Sequence, residues 1–116
     1  MKNDPRYAPW LEIADELVAL HEFVYGAGGP FAHRRDLPFQ LTGLDVAAWI
    51  RNKCAVGRWY WWDKTSLVGQ AKDPLHSFDY VIGDGGGRYE ETEAGREMIA
   101  RIEILKARID DVSNRT

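Results

Sequence analysis

Apolar residues recur at three- and four-residue intervals in several stretches of the chain, which is the period of an amphipathic helix. The first stretch predicts a helix from Pro9 to Val24, because proline suits a first helical position and a run of glycines follows Tyr25. One apolar stripe of this helix is expected to face the core: Trp10, Ile13, Ala14, Leu17, Leu20 and Val24.

A second helix is predicted to begin at Thr42, after the interruptions at Pro30 and Pro38. A hydroxyl followed three residues later by the carboxylate of Asp45 is a variant of the capping box. Gly57 is the expected residue just beyond the end of this helix. Its inner face is predicted to carry Val46, Ala47, Ile50 and Cys54, with Trp49 beside them.

The segment from Arg58 to Asp63 reads RWYWWD. Aromatic density favours a strand, but the same short run could open a helix that reaches Leu67 or Val68, because period alone does not separate the two. A loop is expected around residues 72–74, where a proline follows two charged residues.

A β-hairpin is predicted next. Phe78 to Ile82 alternates aromatic and β-branched residues and is expected to form a strand. Four glycines between Gly83 and Gly87 allow a tight turn, since glycine accepts a positive φ without steric penalty. Arg88 to Glu91 is then the returning strand.

The last helix is predicted to start after a Thr92 cap and to run to about Val112, with residues 113–116 as a frayed tail. Its apolar positions follow a heptad spacing, and Ile99 and Ile104 widen the stripe. This seam could join two copies of the chain, or it could pack on the first helix, whose own apolar stripe must also be buried. The seam consists of Met98, Ile102, Leu105, Ile109 and Val112.

The order of these elements resembles a winged-helix domain with a C-terminal dimerisation helix. The most specific match is residues 88–97, RYEETEAGRE, which is similar to the passage where the second wing strand of winged-helix regulators ends and a helix begins. The resemblance implies an α+β fold with an N-terminal helix, one or more central helices, a glycine-tipped hairpin and a long C-terminal helix. It makes residues 83–87 the wing tip and Val56 to Leu67 the recognition helix.

Chain length, composition and the number of cysteines limit the class of protein. A chain of 116 residues with 45% hydrophobic and 28% charged residues is expected to form one domain, covering residues 1–116. A single cysteine, Cys54, excludes a disulfide within the chain and a zinc site built on several cysteines. The polar start, without an apolar segment, and the absence of a long apolar run predict a cytoplasmic protein without a membrane span.

No motif nominates catalytic chemistry, so we expect no enzyme and no cofactor. The three histidines, His21, His33 and His76, lack the spacing of metal ligands, and no metal site is predicted. The glycine run at 83–87 is expected to precede a strand, whereas a phosphate-binding loop precedes a helix N-terminus.

Two surfaces are candidates for binding. The aromatic run is a candidate partner-binding site, since Trp and Tyr are frequent interface anchors, although these rings could equally fill the core. It comprises Trp59, Tyr60, Trp61 and Trp62. The other candidate is a local basic face on a chain whose formal net charge is −3. That face would bind nucleic acid through Arg34, Arg35, Arg51, Lys53, Arg58, Lys64 and Arg88.

Two functions follow. The first is a winged-helix DNA-binding regulator, dimeric through its last helix. The second is a protein-binding module, which the acidity and the aromatic run favour because both are unusual for DNA readout. In size, charge and lack of catalytic motifs the chain resembles, as a class, the phage-encoded inhibitors of bacterial defence known as anti-CRISPR proteins. The partner would then be a protein.

Overall fold

A computed structural model of the chain describes residues 5–32, 39–57, 61–83 and 92–115, with side chains for all of these except 39–41, 61–64 and 77–83. The described residues form four helices: α1 (Tyr7–Tyr25), α2 (Phe39–Val56), α3 (Trp61–Gly83) and α4 (Glu93–Arg115). α1 packs against α2 and α4, and α3 packs against the same two helices. The helices therefore form a ring around a shared core, as in bundles whose sequential helices are neighbours.

The predicted first helix is confirmed. α1 begins two residues earlier than Pro9, so that this proline lies in the first turn, where its missing N–H costs no helical hydrogen bond. All six residues of the predicted apolar stripe are buried. They contribute to one buried cluster that includes residues of all four helices.

The glycine-rich segment after α1 turns the chain back onto the helix. Gly28 has a φ of 80°, in the left-handed region that favours glycine. The backbone N–H of Phe31 donates to the carbonyl of Val24 at 3.0 Å, and the Phe31 side chain is buried. A Cβ at Gly29 would overlap the carbonyl oxygens of Phe23 and Val24. The close approach that buries Phe31 thus requires glycine at position 29.

The prediction that α2 begins at Thr42 is wrong. The helix begins at Phe39, directly after Pro38 in the sequence, and Thr42 lies within its first turns. A hydroxyl and a carboxylate three residues apart are compatible with a helix interior as well as with a cap, so the motif alone did not locate the start. The predicted inner face is confirmed by the burial of four side chains, and Gly57 follows the helix with a φ of 77°. These four are Val46, Ala47, Ile50 and Cys54.

The loop predicted around residues 72–74 is also wrong, because α3 continues through it with Pro74 inside the helix. Proline in a helix interior costs about 3 kcal/mol, since it removes a hydrogen bond and crowds the preceding turn. Leu67, Ala71 and Leu75 lie on one face and are fully buried. Burying two leucine side chains is worth roughly 1.5–3 kcal/mol each, which offsets that cost.

The winged-helix resemblance and the α+β fold class are contradicted. Phe78 to Ile82, predicted as the first hairpin strand, belongs to α3, and the described residues contain no strand. Five residues are too few to separate a two-residue period from a helical one, and Leu75, Phe78 and Ile82 also continue a helical spacing. The rest of the predicted hairpin, residues 84–91, lies outside the described residues. The chain is a small all-α fold in its described part.

The predicted last helix is confirmed, and α4 extends beyond Val112 to Arg115. Thr92 caps it as predicted. Its hydroxyl oxygen accepts a hydrogen bond from the backbone N–H of Gly95 at 2.9 Å. This bond satisfies one of the N–H groups that a helix start leaves without a partner. α4 thereby has a defined start from which its apolar stripe points toward α1 and α3.

Candidate functional site

The heptad seam of α4 lies inside the chain. Met98, Ile102, Leu105, Ile109 and Val112 are each no more than 3% exposed, and α4 packs on α1 and α3. Of the two alternatives for this seam, the structure shows packing within the chain. These five side chains are therefore not available to pair with a second copy.

Of the basic face, the structure describes the side chains of two residues, Arg51 and Lys53. The Arg51 guanidinium pairs with the Asp15 carboxylate of α1 at 2.7 Å. The Lys53 ammonium lies 5.7 Å from the centre of the Trp49 ring. Both cations are thus engaged by groups of the chain itself. Lys64 lies in α3 with its side chain outside the described residues, and Arg34, Arg35, Arg58 and Arg88 lie outside them altogether.

The aromatic run straddles the start of α3. Trp61 and Trp62 are the first two residues of this helix, and their side chains lie outside the described part of the chain. Trp59 and Tyr60 are likewise outside it. The assignment of these four residues to a partner-binding site stays a prediction.

A second surface, which the sequence analysis did not single out, lies between α1 and α4. The two helices are antiparallel, because Arg108 of α4 pairs near the start of α1 while Arg101 contacts Phe23 near its end. We call this surface the α1–α4 face. It comprises Glu12, Glu16, Ala19 and Phe23 of α1 and Arg101, Ile104 and Arg108 of α4.

The centre of the α1–α4 face is a groove with an exposed apolar side chain on its edge. Ile104 is 67% exposed, although it directly precedes the buried Leu105. The groove holds about 150 Å³ and is lined in part by Ala19, Leu20 and Leu105. Leaving a large aliphatic side chain in water forfeits roughly 1.5–3 kcal/mol of burial energy, which a partner could recover.

One end of the α1–α4 face is a cluster of three charged groups. The Arg108 guanidinium donates to a Glu16 carboxylate oxygen at 2.7 Å and also pairs with Glu12. Two carboxylates four residues apart on a helix repel each other, and a planar guanidinium with several donors can neutralise both. Arg108 is 35% exposed, so this cluster stays accessible to a partner.

The other end carries an arginine on an aromatic ring. The Arg101 guanidinium carbon lies 4.3 Å from the centre of the Phe23 ring, and its Nη2 donates to Glu97 Oε1 at 3.0 Å. A cation at this distance from a ring face is attracted by the ring quadrupole. The two contacts together hold Arg101 beside the groove.

A signal for this face was present in the sequence. Arg101, Ile104 and Arg108 are spaced by three and four residues, so a helix brings them to one side. The heptad spacing predicts that Ile104 widens the core stripe. That interpretation is wrong, because the Ile104 side chain is 67% exposed while the five residues of the heptad seam are buried.

The chemistry of nucleophilic and metal sites sets requirements for Cys54 and for the possible metal ligands of the described residues. Burial raises the pKa of the Cys54 thiol to about 11, which keeps it protonated near neutral pH and weakens it as a nucleophile. Within the described part of the chain, His, Cys, Asp and Glu side chains form no group of three that could hold a metal ion. None of the helices, where described, is long and apolar enough to span a membrane.

No family model, curated protein or solved structure matches the chain.

Proposed function

We propose that this protein is a non-enzymatic protein-binding module and that the α1–α4 face is its binding surface. The observation that carries the proposal is the exposure of Ile104 on the edge of a groove flanked by Arg101 and Arg108. Protein interfaces combine a desolvated apolar centre with a polar rim, and arginine is enriched among the residues that dominate their energy.

The charged groups at both ends of the groove support binding of a protein. Arg108 and Arg101 are each held by carboxylates of the chain, so their positions are set before a partner arrives. Side chains ordered in advance lose less conformational entropy on binding.

Site-specific photocrosslinking tests this proposal. A photoreactive phenylalanine analogue replaces Ile104, and a matched variant carries it at Val56, the other large apolar side chain that is exposed in the described residues, at 58%. Both variants are expressed in the cells that naturally produce the protein. We expect a crosslinked protein species from position 104 and none, or far less, from position 56.

The outcomes of this experiment are distinct. A discrete protein crosslinked only through position 104, whether another protein or a second copy of the chain, supports the proposal. Equal crosslinking from positions 104 and 56, or none from either, contradicts it. Mass spectrometry identifies the crosslinked species, and a subunit of a bacterial defence complex there would point to an inhibitor of the anti-CRISPR class.

A further inference from the structure

We infer that the occupant of the α1–α4 face is a second copy of this chain, related to the first by a two-fold axis parallel to α1 and α4. The inference rests on the proposed function, because it names the partner of the same face. The dimer would use residues other than the heptad seam, which the chain's own core occupies.

The charges of the face are complementary to those of a rotated copy. The α1 edge is acidic, with Glu12 and Glu16, and the α4 edge is basic, with Arg101 and Arg108. Within one chain Arg108 pairs with the two α1 carboxylates, and Arg101 pairs with Glu97 of α4. A two-fold axis along the helices places α1 of one copy against α4 of the other. A two-fold axis across the helices would instead place α1 against α1 and α4 against α4, so that neither acidic edge would face a basic one.

The positions of the charged residues along the helix axes agree with this pairing. Arg108 already lies level with Glu12 and Glu16 within one chain. Rotation about an axis parallel to the helices leaves each residue's position along that axis unchanged. Arg108 of each copy therefore meets the Glu12 and Glu16 carboxylates of the other. The three-group cluster would become a network of six charges across the interface. Networks contribute more than isolated surface pairs.

The shape of the groove agrees as well. Ala19 and Ile104 line the same groove from opposite helices. The same rotation carries Ile104 of one copy over Ala19 of the other, so a large side chain meets a small one on both sides of the axis. Leu20 and Leu105 form the apolar floor beneath them. A self-complementary contact of this kind closes with two copies and does not propagate.

The size of the face predicts a weak dimer. With 19 residues, α1 is roughly 28 Å long, and two packed helices are about 20 Å wide. Such a face buries roughly 1,100 Å² in total, near the lower end of specific interfaces. We therefore expect an equilibrium between monomer and dimer with a dissociation constant in the micromolar range.

Sedimentation equilibrium of the full chain across micromolar to millimolar concentrations tests the inference. We expect the wild type to shift from monomer to dimer as its concentration rises. Ile104→Gln should weaken the dimer about tenfold or more, because it removes the central apolar contact. Val56→Gln is the matched control and should leave the dissociation constant unchanged. A wild type that stays monomeric throughout, or equal effects of the two substitutions, overturns the inference.

A charge exchange between the two edges tests the pairing itself. One variant carries Arg108→Glu, and a second carries Glu12→Arg together with Glu16→Arg. Each variant alone opposes like charges across the two-fold axis and should be monomeric, whereas an equimolar mixture should form a heterodimer. Circular dichroism of each variant checks its helix content. An unfolded variant could not restore dimer formation on mixing. Folded variants that fail to associate in the mixture overturn the inference.

Failure of the inference is distinguishable from failure of the proposed function. A monomeric wild type that still crosslinks through position 104 to a different protein overturns self-pairing and supports the proposed function. A monomeric wild type without any crosslink through position 104 overturns both.

Discussion

The guanidinium of Arg101 on α4 lies over the ring of Phe23 on α1, with 4.3 Å between the guanidinium carbon and the ring centre. These residues lie 78 positions apart in the chain, Phe23 in the last turn of α1 and Arg101 in the first half of α4. The contact closes one end of the α1–α4 face and joins the first helix to the last. Its contribution to stability can be measured.

A double-mutant cycle is the direct measurement of this contact. We expect Arg101→Gln and Phe23→Leu together to cost less than the sum of the two single changes, with a coupling energy of about 0.5–1 kcal/mol. Urea unfolding of the wild type and the three variants gives the four free energies required. Strict additivity would show that the cation and the ring do not interact in solution.

Two glycines with opposite surroundings provide a test of the segment after α1. Gly29→Ala should destabilise the protein, because the added Cβ overlaps two backbone carbonyl oxygens. Gly69→Ala, on an exposed position of α3 with open space around it, should leave stability unchanged or raise it by about 0.5–1 kcal/mol, since alanine favours helix. Thermal unfolding of both variants gives the comparison, and equal effects would mean that the chain does not turn back at Gly29 as described.

The position of the heptad seam predicts how its residues affect stability. Ile102→Ala should cost about 2–5 kcal/mol, because it leaves a cavity in the core of one chain. The cost should be the same at high and at low protein concentration. Ile104→Ala, two residues further on, should change stability by no more than about 0.5 kcal/mol at concentrations where the chain is monomeric. A cost for Ile102→Ala that vanishes on dilution would place the seam in a dimer interface instead.

The buried thiol predicts a pH dependence of stability. Burial raises the pKa of Cys54 from 9.0 to about 11, so between these values the folded chain binds more protons at this group than the unfolded chain. Stability from this source is complete below pH 9 and is lost as the pH rises toward 11. The difference in unfolding free energy between the wild type and Cys54→Ala should shrink over this range. A constant difference would show that the thiol is not buried.

Reactivity of the same thiol gives an independent check. Near pH 8 the folded protein should react slowly with iodoacetamide, since the nucleophile is the thiolate and Cys54 is buried. Addition of urea should raise the rate in parallel with unfolding as measured by circular dichroism. Rapid alkylation of the native protein would contradict the described environment of Cys54.

The sequence by itself determined three of the four helices. The apolar stripes of α1, α2 and α4 were readable because side chains three and four residues apart share a face wherever a helix forms. The Thr92 cap and the glycine after α2 were readable for a similar reason, since each depends on backbone groups within a few residues. Each of these features is local, and nothing distant needs to be known to predict it.

Tertiary structure decided the continuity of α3 and the exposure of Ile104. α3 persists through Pro74 because Leu67, Ala71 and Leu75 are buried in the shared core, a gain that is set by the neighbouring helices and not by local preference. The winged-helix interpretation failed at this point, since a five-residue alternation also fits a helix. The exposure of Ile104 has the same origin: α1 and α3 bury the side of α4 that carries the heptad seam, and Ile104 lies outside it on the edge of the groove. Which apolar residues a helix buries depends on where its neighbours lie, and that information is not contained in the spacing of one helix.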